Sequence, residues 1–235
     1  MSCPSPAELL NLWERAYSLS PARRAIEIVR AGYPNSTWSE IAHWPIGFRD
    51  RHVARMRVAL LGPQVPSLAN CPGCQTPVEF DVQLHQCFRL QSTEFDRVDL
   101  STLPKAASAL RPMTTADVIE HLESAFNEED LIRRFLDLRN DAQLPDIELP
   151  QLATQLEELD PEARIDFSLQ CPDCGREWSS LFDIVAVFWA ELNAWARRMM
   201  SEIHQLATRY GWSEGEILRI TPWRRAIYLS MVGTR

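Results

Sequence analysis

Four of the six cysteines stand in two C-x-x-C pairs, Cys71/Cys74 in "NCPGCQ" and Cys171/Cys174 in "QCPDCGREW". A C-x-x-C turn can aim both sulfurs at one ion while backbone N–H groups in the turn stabilise the thiolates. Zinc takes four such ligands tetrahedrally, each sulfur about 2.3 Å away. Two turns supply four. The expected set is therefore Cys71, Cys74, Cys171 and Cys174, holding one structural Zn2+ per chain. Such a set leaves no position open for water, so its role is structural rather than catalytic. Cys3 and Cys87 stand alone. His85 and Cys87 lie near the strand expected after the first pair; they could substitute as ligands, but read more simply as ordinary strand residues.

The spacing is unusual, because 96 residues separate Cys74 from Cys171. A compact ribbon has roughly 15–20 residues between its pairs. The intervening chain must then loop out and return. Loop closure costs only about 0.6 kcal/mol per doubling of length, whereas zinc binding to finger peptides contributes about 10–16 kcal/mol. Metal binding can outweigh the longer loop. Three other readings stay open. A redox dithiol normally sits where a strand turns into a helix, but strands follow both pairs here. The ligands could be shared across a dimer. The two hairpins could also carry free thiols and no metal.

The elements that must position these thiols are legible from periodicity. Val78, Phe80, Val82 and Leu84 alternate with Glu79, Asp81 and Gln83 after the first pair, which predicts a half-buried strand. A second strand is expected over Gln86–Leu90. Ile165, Phe167 and Leu169 alternate just before Cys171, and Trp178–Ile184 follows the second pair, so the pair tips a hairpin. Upstream, Ser5-Pro6-Ala7-Glu8 forms a capping box ahead of Leu9, Leu10, Trp13, Ala16 and Tyr17. Ser20-Pro21 opens a second helix that Gly32 ends; a short one covers Trp38–His43, and a longer one runs from about Arg49 to Leu61.

In the middle, Thr114 or Thr115 caps a helix through Leu122, a second covers Asp130–Leu138, "DAQLPDIELP" reads as a loop, and a short helix carries Leu152, Leu156 and Leu159. The strongest helical signal is Phe188, Leu192, Trp195, Met199, Ile203, Leu206 and Tyr210, spaced by three and four and closed by Gly211. Ser213–Glu216 is another capping box, and Thr221-Pro222 opens a last helix.

The fold class that follows is α+β and mostly α-helical: a split zinc ribbon of two C-x-x-C hairpins with a helical insertion, flanked by helical segments. The divisions are 1–69 (N-terminal helices), 70–90 (first ribbon half), 91–162 (acidic, mostly helical insertion), 163–185 (second ribbon half) and 186–235 (C-terminal helices), together one compact unit.

Composition narrows the function. The net charge of −8 argues against general nucleic-acid affinity, which needs cations to neutralise phosphates. The charge is uneven: residues 92–166 hold 18 acids and 7 bases, while residues 188–235 hold 4 acids and 7 bases. Such runs read most simply as ion pairs between segments of one chain, and more sharply as contact with partner proteins. No run approaches eighteen apolar residues, so no membrane span is expected. The start, "MSCPSPAELLNLWERA", lacks the basic and apolar blocks of a signal peptide, and a cytoplasmic location is the default. The histidines fall in no metal-hydrolase pattern, and there is no P-loop, nucleophile elbow or dinucleotide-binding glycine pattern. The expectation is that the chain is not an enzyme. The C-terminal "YGWSEGEILRITPWRRAIYLSMV" has two readings. It is a helix-turn-helix for DNA with Arg219, Arg224 and Arg225 near the turn, or a helical hairpin packing Trp212 and Trp223 into the core. Trp212, Trp223, Arg224 and Arg225 are the candidate partner-contact residues.

One family is similar along nearly the whole chain. "LLNLWERA", "HWPIGFRDRHVARMRVALLGP", "CPGC" before a strand, "RPMTTADV", "DPEARIDFSLQCPDCGREWSSLFDI" and "EIHQLATRYGWSEGEILRITPWRRAIYL" occur in that order. Together they resemble the T4-like baseplate hub assembly proteins of contractile-tailed phages and related contractile injection systems. "GREW" after the second knuckle and "YGWSEGEIL" are the most specific parts. The first knuckle departs from the usual CPxCG by reading CPGCQ, which touches the turn and not the ligands. The resemblance implies a non-enzymatic chaperone for the baseplate hub, acting in the bacterial cytoplasm on hub or spike proteins and absent from the finished particle. The alternatives are a structural baseplate component retained in the particle, and a zinc-ribbon regulator that binds nucleic acid.

Overall fold

Local capping chemistry sets most helix starts. The computed structural model describes residues 2–91, 110–124, 127–136 and 149–232. Helix α1 (Pro6–Ala16) begins with the Ser5/Glu8 capping box, in which each side chain bonds the other's backbone N–H. Helix α2 (Pro21–Gly32) starts on proline, and α3 (Trp38–Ala42) has a second box from Thr37 and Glu40. Helix α4 spans Ile46–Leu61 and so begins three residues before the expected Arg49. It has no cap of its own. The Ile46 N–H donates to the Met113 carbonyl (3.0 Å), and the Gly47 N–H donates to Asp160 Oδ2 (2.8 Å). Groups remote in sequence thus satisfy the orphan N–H groups that every helix start leaves.

The two hairpins follow different routes out of the core. Strand β1 (Gln64–Asn70) pairs antiparallel with β2 (Pro77–Gln83), and β3 (Ile165–Gln170) pairs with β4 (Glu177–Phe182). The expected strand at Gln86–Leu90 is absent; a short helix α5 (Leu84–Cys87) stands there instead. Leu84 and Phe88 are both buried, four residues apart, and the Phe88 N–H donates to the Leu84 carbonyl (2.9 Å). A helical turn buries both, whereas a strand buries residues two apart. The first hairpin takes its partner strand from the other side of the knuckle, at β1.

The acidic middle contributes α6 (Thr115–Ser124), α7 (Glu128–Phe135) and α8 (Leu149–Leu159). Thr114 caps α6, its Oγ1 accepting from the Asp117 N–H (3.3 Å). Leu138 and most of the "DAQLPDIELP" loop lie outside the described residues. Helix α9 (Ile184–Tyr210) is the longest element, and α10 (Glu214–Arg219) and α11 (Pro222–Val232) complete the chain. Gly211 closes α9 in the left-handed region, with φ 71°. No helix among the described residues is long and apolar enough to cross a membrane.

The main core lies where α1, α2, α4 and α9 meet, and the root of the first hairpin plugs into it. Val65 and Val82 face each other across β1 and β2 and are 1% and 0% exposed. Burying a valine fully stabilises by about 1.5–3 kcal/mol. A smaller core joins Leu10 of α1 to α9 and α10 through Ala196, Met199, Ile203, Leu206 and Ile217. A third, from Ile132, Phe135, Leu136 and Leu152, holds α7 to α8.

Buried arginines tie these layers together. Arg57, 3% exposed, donates to both carboxylate oxygens of Glu191 on α9 (3.1 and 2.8 Å) and to the carbonyls of Gly62 and Gln64. It fixes the turn from α4 into β1. Arg51 Nε donates to Glu162 Oε2 (2.6 Å), and Glu162 Oε1 accepts from the Arg89 N–H (2.9 Å). Asp160 and Glu162 therefore latch the segment before β3 onto α4. Gly47 makes room for that latch, since a Cβ there would lie 2.1 Å from Asp160 Oδ1 and 2.7 Å from the Ala163 nitrogen.

Candidate metal centre

Each knuckle is a tight turn at a hairpin tip, and the two turns repeat the same bonds. The Cys71 N–H donates to the Thr76 carbonyl (2.9 Å), and the Gln75 N–H returns to the Cys71 carbonyl (2.9 Å). In the second knuckle the Cys171 N–H donates to the Arg176 carbonyl (2.9 Å), and the Gly175 N–H returns to the Cys171 carbonyl (3.0 Å). Both turns need one residue in the left-handed region, Gln75 at φ 64° and Gly175 at φ 72°. Glycine adopts it without steric cost, and glutamine does not.

These turns bring all four sulfurs of one chain together. The Sγ atoms of Cys71, Cys74, Cys171 and Cys174 lie within 4.8 Å of one another. Cys71–Cys174 is 3.6 Å, and Cys74 is 3.5 Å from both Cys171 and Cys174. A tetrahedron with metal–sulfur bonds of about 2.3 Å has edges of about 3.8 Å. The cage is therefore close to the size of a four-sulfur metal site. The separations are far beyond the roughly 2.05 Å of a disulfide, and all six cysteines are free thiols. The group could hold a metal ion, and every ligand would come from one chain.

Burial is divided evenly. Cys71 and Cys171, first in each pair, are buried, while Cys74 and Cys174 face outward. The Gly73 N–H donates to Cys71 Sγ (3.3 Å). Contacts between the knuckles add to this. The Thr76 hydroxyl donates to Asp173 Oδ2 (2.7 Å), and Arg176 packs over Gly73, where a Cβ would meet its Cδ at 3.0 Å. Phe80 and Phe167 bring the hairpin faces together, their ring centroids 5.8 Å apart.

The thiols do not ionise alike. Hydrogen bonding with Thr76, its side chain first and then its backbone, pulls Cys74 down to about 6. Burial would raise Cys71, but the N–H groups of Cys74 and Gly73 outweigh it and lower that thiol too. The Arg176 N–H favours a Cys174 thiolate, yet Cys74 and Cys71 beside it push Cys174 up to about 12. Ionising the last thiol among partly ionised neighbours is costly, and a cation among them reverses that cost.

The other candidate residues lie elsewhere. His85 is exposed, Cys87 is half-buried with burial raising its thiol, and neither belongs to the four-sulfur group. At the C-terminus, Trp212 is half-buried and stacks on Tyr210 at 4.7 Å. Trp223 is 75% exposed, which corrects the reading that packs it into the core. Arg224 is exposed, but Arg225 is buried and donates to Glu202 Oε2 (2.6 Å), so it is spent inside the chain.

Thr76, Asp173 and Arg176 are the supporting residues that motif reading missed. Their positions beside the cysteines were the available signal. The Asp160/Glu162 latch gave no signal beyond two acids flanking a proline. Comparison with known protein families, characterised proteins and solved structures gives no match for this chain.

Proposed function

We propose that the four cysteines hold one structural zinc ion in a split ribbon, and that the chain is a non-enzymatic assembly factor for the baseplate hub of a contractile tail or injection system. The single observation that carries the metal reading is the closed four-sulfur cage from two hairpins. Thiolate donors in a tetrahedral set favour zinc or iron. A cage with all four positions taken by protein sulfur suits a structural role.

The hub role rests on the sequence resemblance. Its support is that the resembling segments meet in space. "HWPIGFRD" supplies Gly47 and "DPEAR" supplies Asp160, which hydrogen-bond across 113 residues. The two knuckle segments supply the four sulfurs. A shared structural unit explains why those stretches would look alike together. The work of such a protein lies on the surfaces its staple positions.

Pull-down during assembly tests the role. The chain is expected to co-purify with hub or spike subunits from a lysate in which particles are forming, and to be absent from finished particles. Retention in purified particles at a fixed copy number would make it a structural baseplate component. Association with no hub or spike subunit in either sample would overturn the proposal.

A further inference from the structure

We propose that two copies of this chain pair by seating α11 of each on the outer face of the other's β1–β2 hairpin. Among the described residues, helix α11 packs on the core through one side. Arg225, Tyr228, Leu229 and Val232 turn toward α9 and its neighbours. The opposite side carries Trp223 (75% exposed), the half-buried Ile227 and Met231 (57% exposed). Their spacing of four places them in one stripe along the helix. The exposed Arg224 flanks it, the exposed Arg219 precedes it, and residues 217–232 contain no acid. An exposed apolar stripe of this kind marks an interaction surface.

The hairpin offers a face of matching chemistry. Pro66 stands opposite Asp81, and Leu68 stands opposite Glu79. An apolar row on β1 thus runs beside an acidic row on β2, with all four residues exposed. They line a shallow hollow of about 410 Å3 together with Ser67 and Phe80. The repeats also agree: stripe residues four apart are about 6 Å apart along a helix, and strand residues two apart are about 6.7 Å apart. Trp223 and Ile227 fit over the apolar row while arginine meets the carboxylates. A two-stranded hairpin is marginal alone and gains from a cover. Reciprocal two-fold pairing uses both faces of both copies and closes at a dimer, whereas a one-way contact would run on into a filament.

A charge-swap experiment tests this with the full chain. Sedimentation velocity at about 50 μM should find the wild type mainly dimeric, with association weakening as salt rises. Trp223→Ala should weaken it at least tenfold. One variant carries Arg219→Glu and Arg224→Glu, and another carries Glu79→Arg and Asp81→Arg. Each should be monomeric alone, because its two faces now repel, and their equal mixture should form a heterodimer. All of these positions are exposed, and circular dichroism of each variant confirms the fold. A monomeric wild type, swapped variants that stay dimeric alone, or a mixture that fails to pair would each overturn the proposal.

Discussion

The two knuckles make the same turn with the same bonds, yet the chain anchors their hairpins by different means. The first is held at its root. Val65 and Val82 sit in the main core, and Arg57 clamps the turn that enters β1. The second has no equally buried residue in its strands, where each alternate side chain is only half-buried. Its half-buried Ile165, Phe167 and Phe182 rest against the main core, and its ends are held by the Asp160/Glu162 latch before β3 and by direct continuation into α9 after β4. Asp183 makes that junction by capping α9, its Oδ1 accepting from Val185 and Ala186 (2.9 and 3.0 Å). The lesson is that the cage joins one hairpin rooted in the core to one that rests half-buried against it and depends more on polar contacts and helix continuity. The metal should matter more to the second.

The largest expected effect comes from removing the metal. A chelator should cost several kcal/mol, by analogy with zinc-dependent folds. The loss should be uneven. Amide hydrogen exchange should speed up at both tips, but should spread through β3–β4 while the Val65/Val82 root stays protected. Equal loss of protection in both hairpins would break the comparison.

Next in size is Glu162→Ala, which removes the carboxylate that Arg51 Nε donates to. Breaking such a pair costs about 3–5 kcal/mol. Denaturant titration should show that loss, with the second hairpin the more exposed to exchange. A loss below 1 kcal/mol would mean that the latch does not hold the second hairpin.

A control lies outside both hairpins. Asp117 accepts from Arg111 (2.7 and 2.8 Å), from Arg134 and from Thr114. Burial alone would raise this carboxyl, but those hydrogen bonds hold it well below the usual range. Its folded value is depressed, so its stabilisation is present above the unfolded value of about 3.9 and is lost as pH falls toward the folded one. Asp117→Asn should cost about 2–3 kcal/mol at neutral pH. The gap from wild type should shrink below about pH 4. It should be unaffected by chelator, which separates this lock from the cage.

The smallest effect separates the knuckles themselves. Gln75→Gly should stabilise by about 1 kcal/mol, because it relieves a left-handed residue. Gly175→Gln should cost a similar amount. Thermal denaturation of the two single variants reads both, and equal shifts of the same sign would contradict the geometry.

Much of this was legible in the sequence where a short-range rule applied. The four cysteines, the alternation in β2, β3 and β4, the Ser5/Glu8 and Ser213/Glu216 boxes and the long α9 each depend on residues a few positions apart. Strand β1 carries little local signal, because Pro66 interrupts its short apolar alternation. In a two-stranded hairpin every strand is an edge, and proline is tolerated there. The true start of α4 was hidden for the opposite reason. Its caps, the Met113 carbonyl and the Asp160 carboxylate, lie far along the chain, and no local pattern encodes them. Arg225 looked like a surface residue because its partner Glu202 sits on another helix.

The central claim is that four cysteines of one chain hold one structural zinc ion. Native mass spectrometry of freshly purified protein, with elemental analysis of the same sample, tests it most directly. The account predicts one zinc and no iron per chain, and in Cys174→Ser loss of that zinc with faster exchange through β3–β4 while the Val65/Val82 root stays protected. A freshly purified chain that carries no zinc, or a Cys174→Ser chain that keeps it, would contradict it.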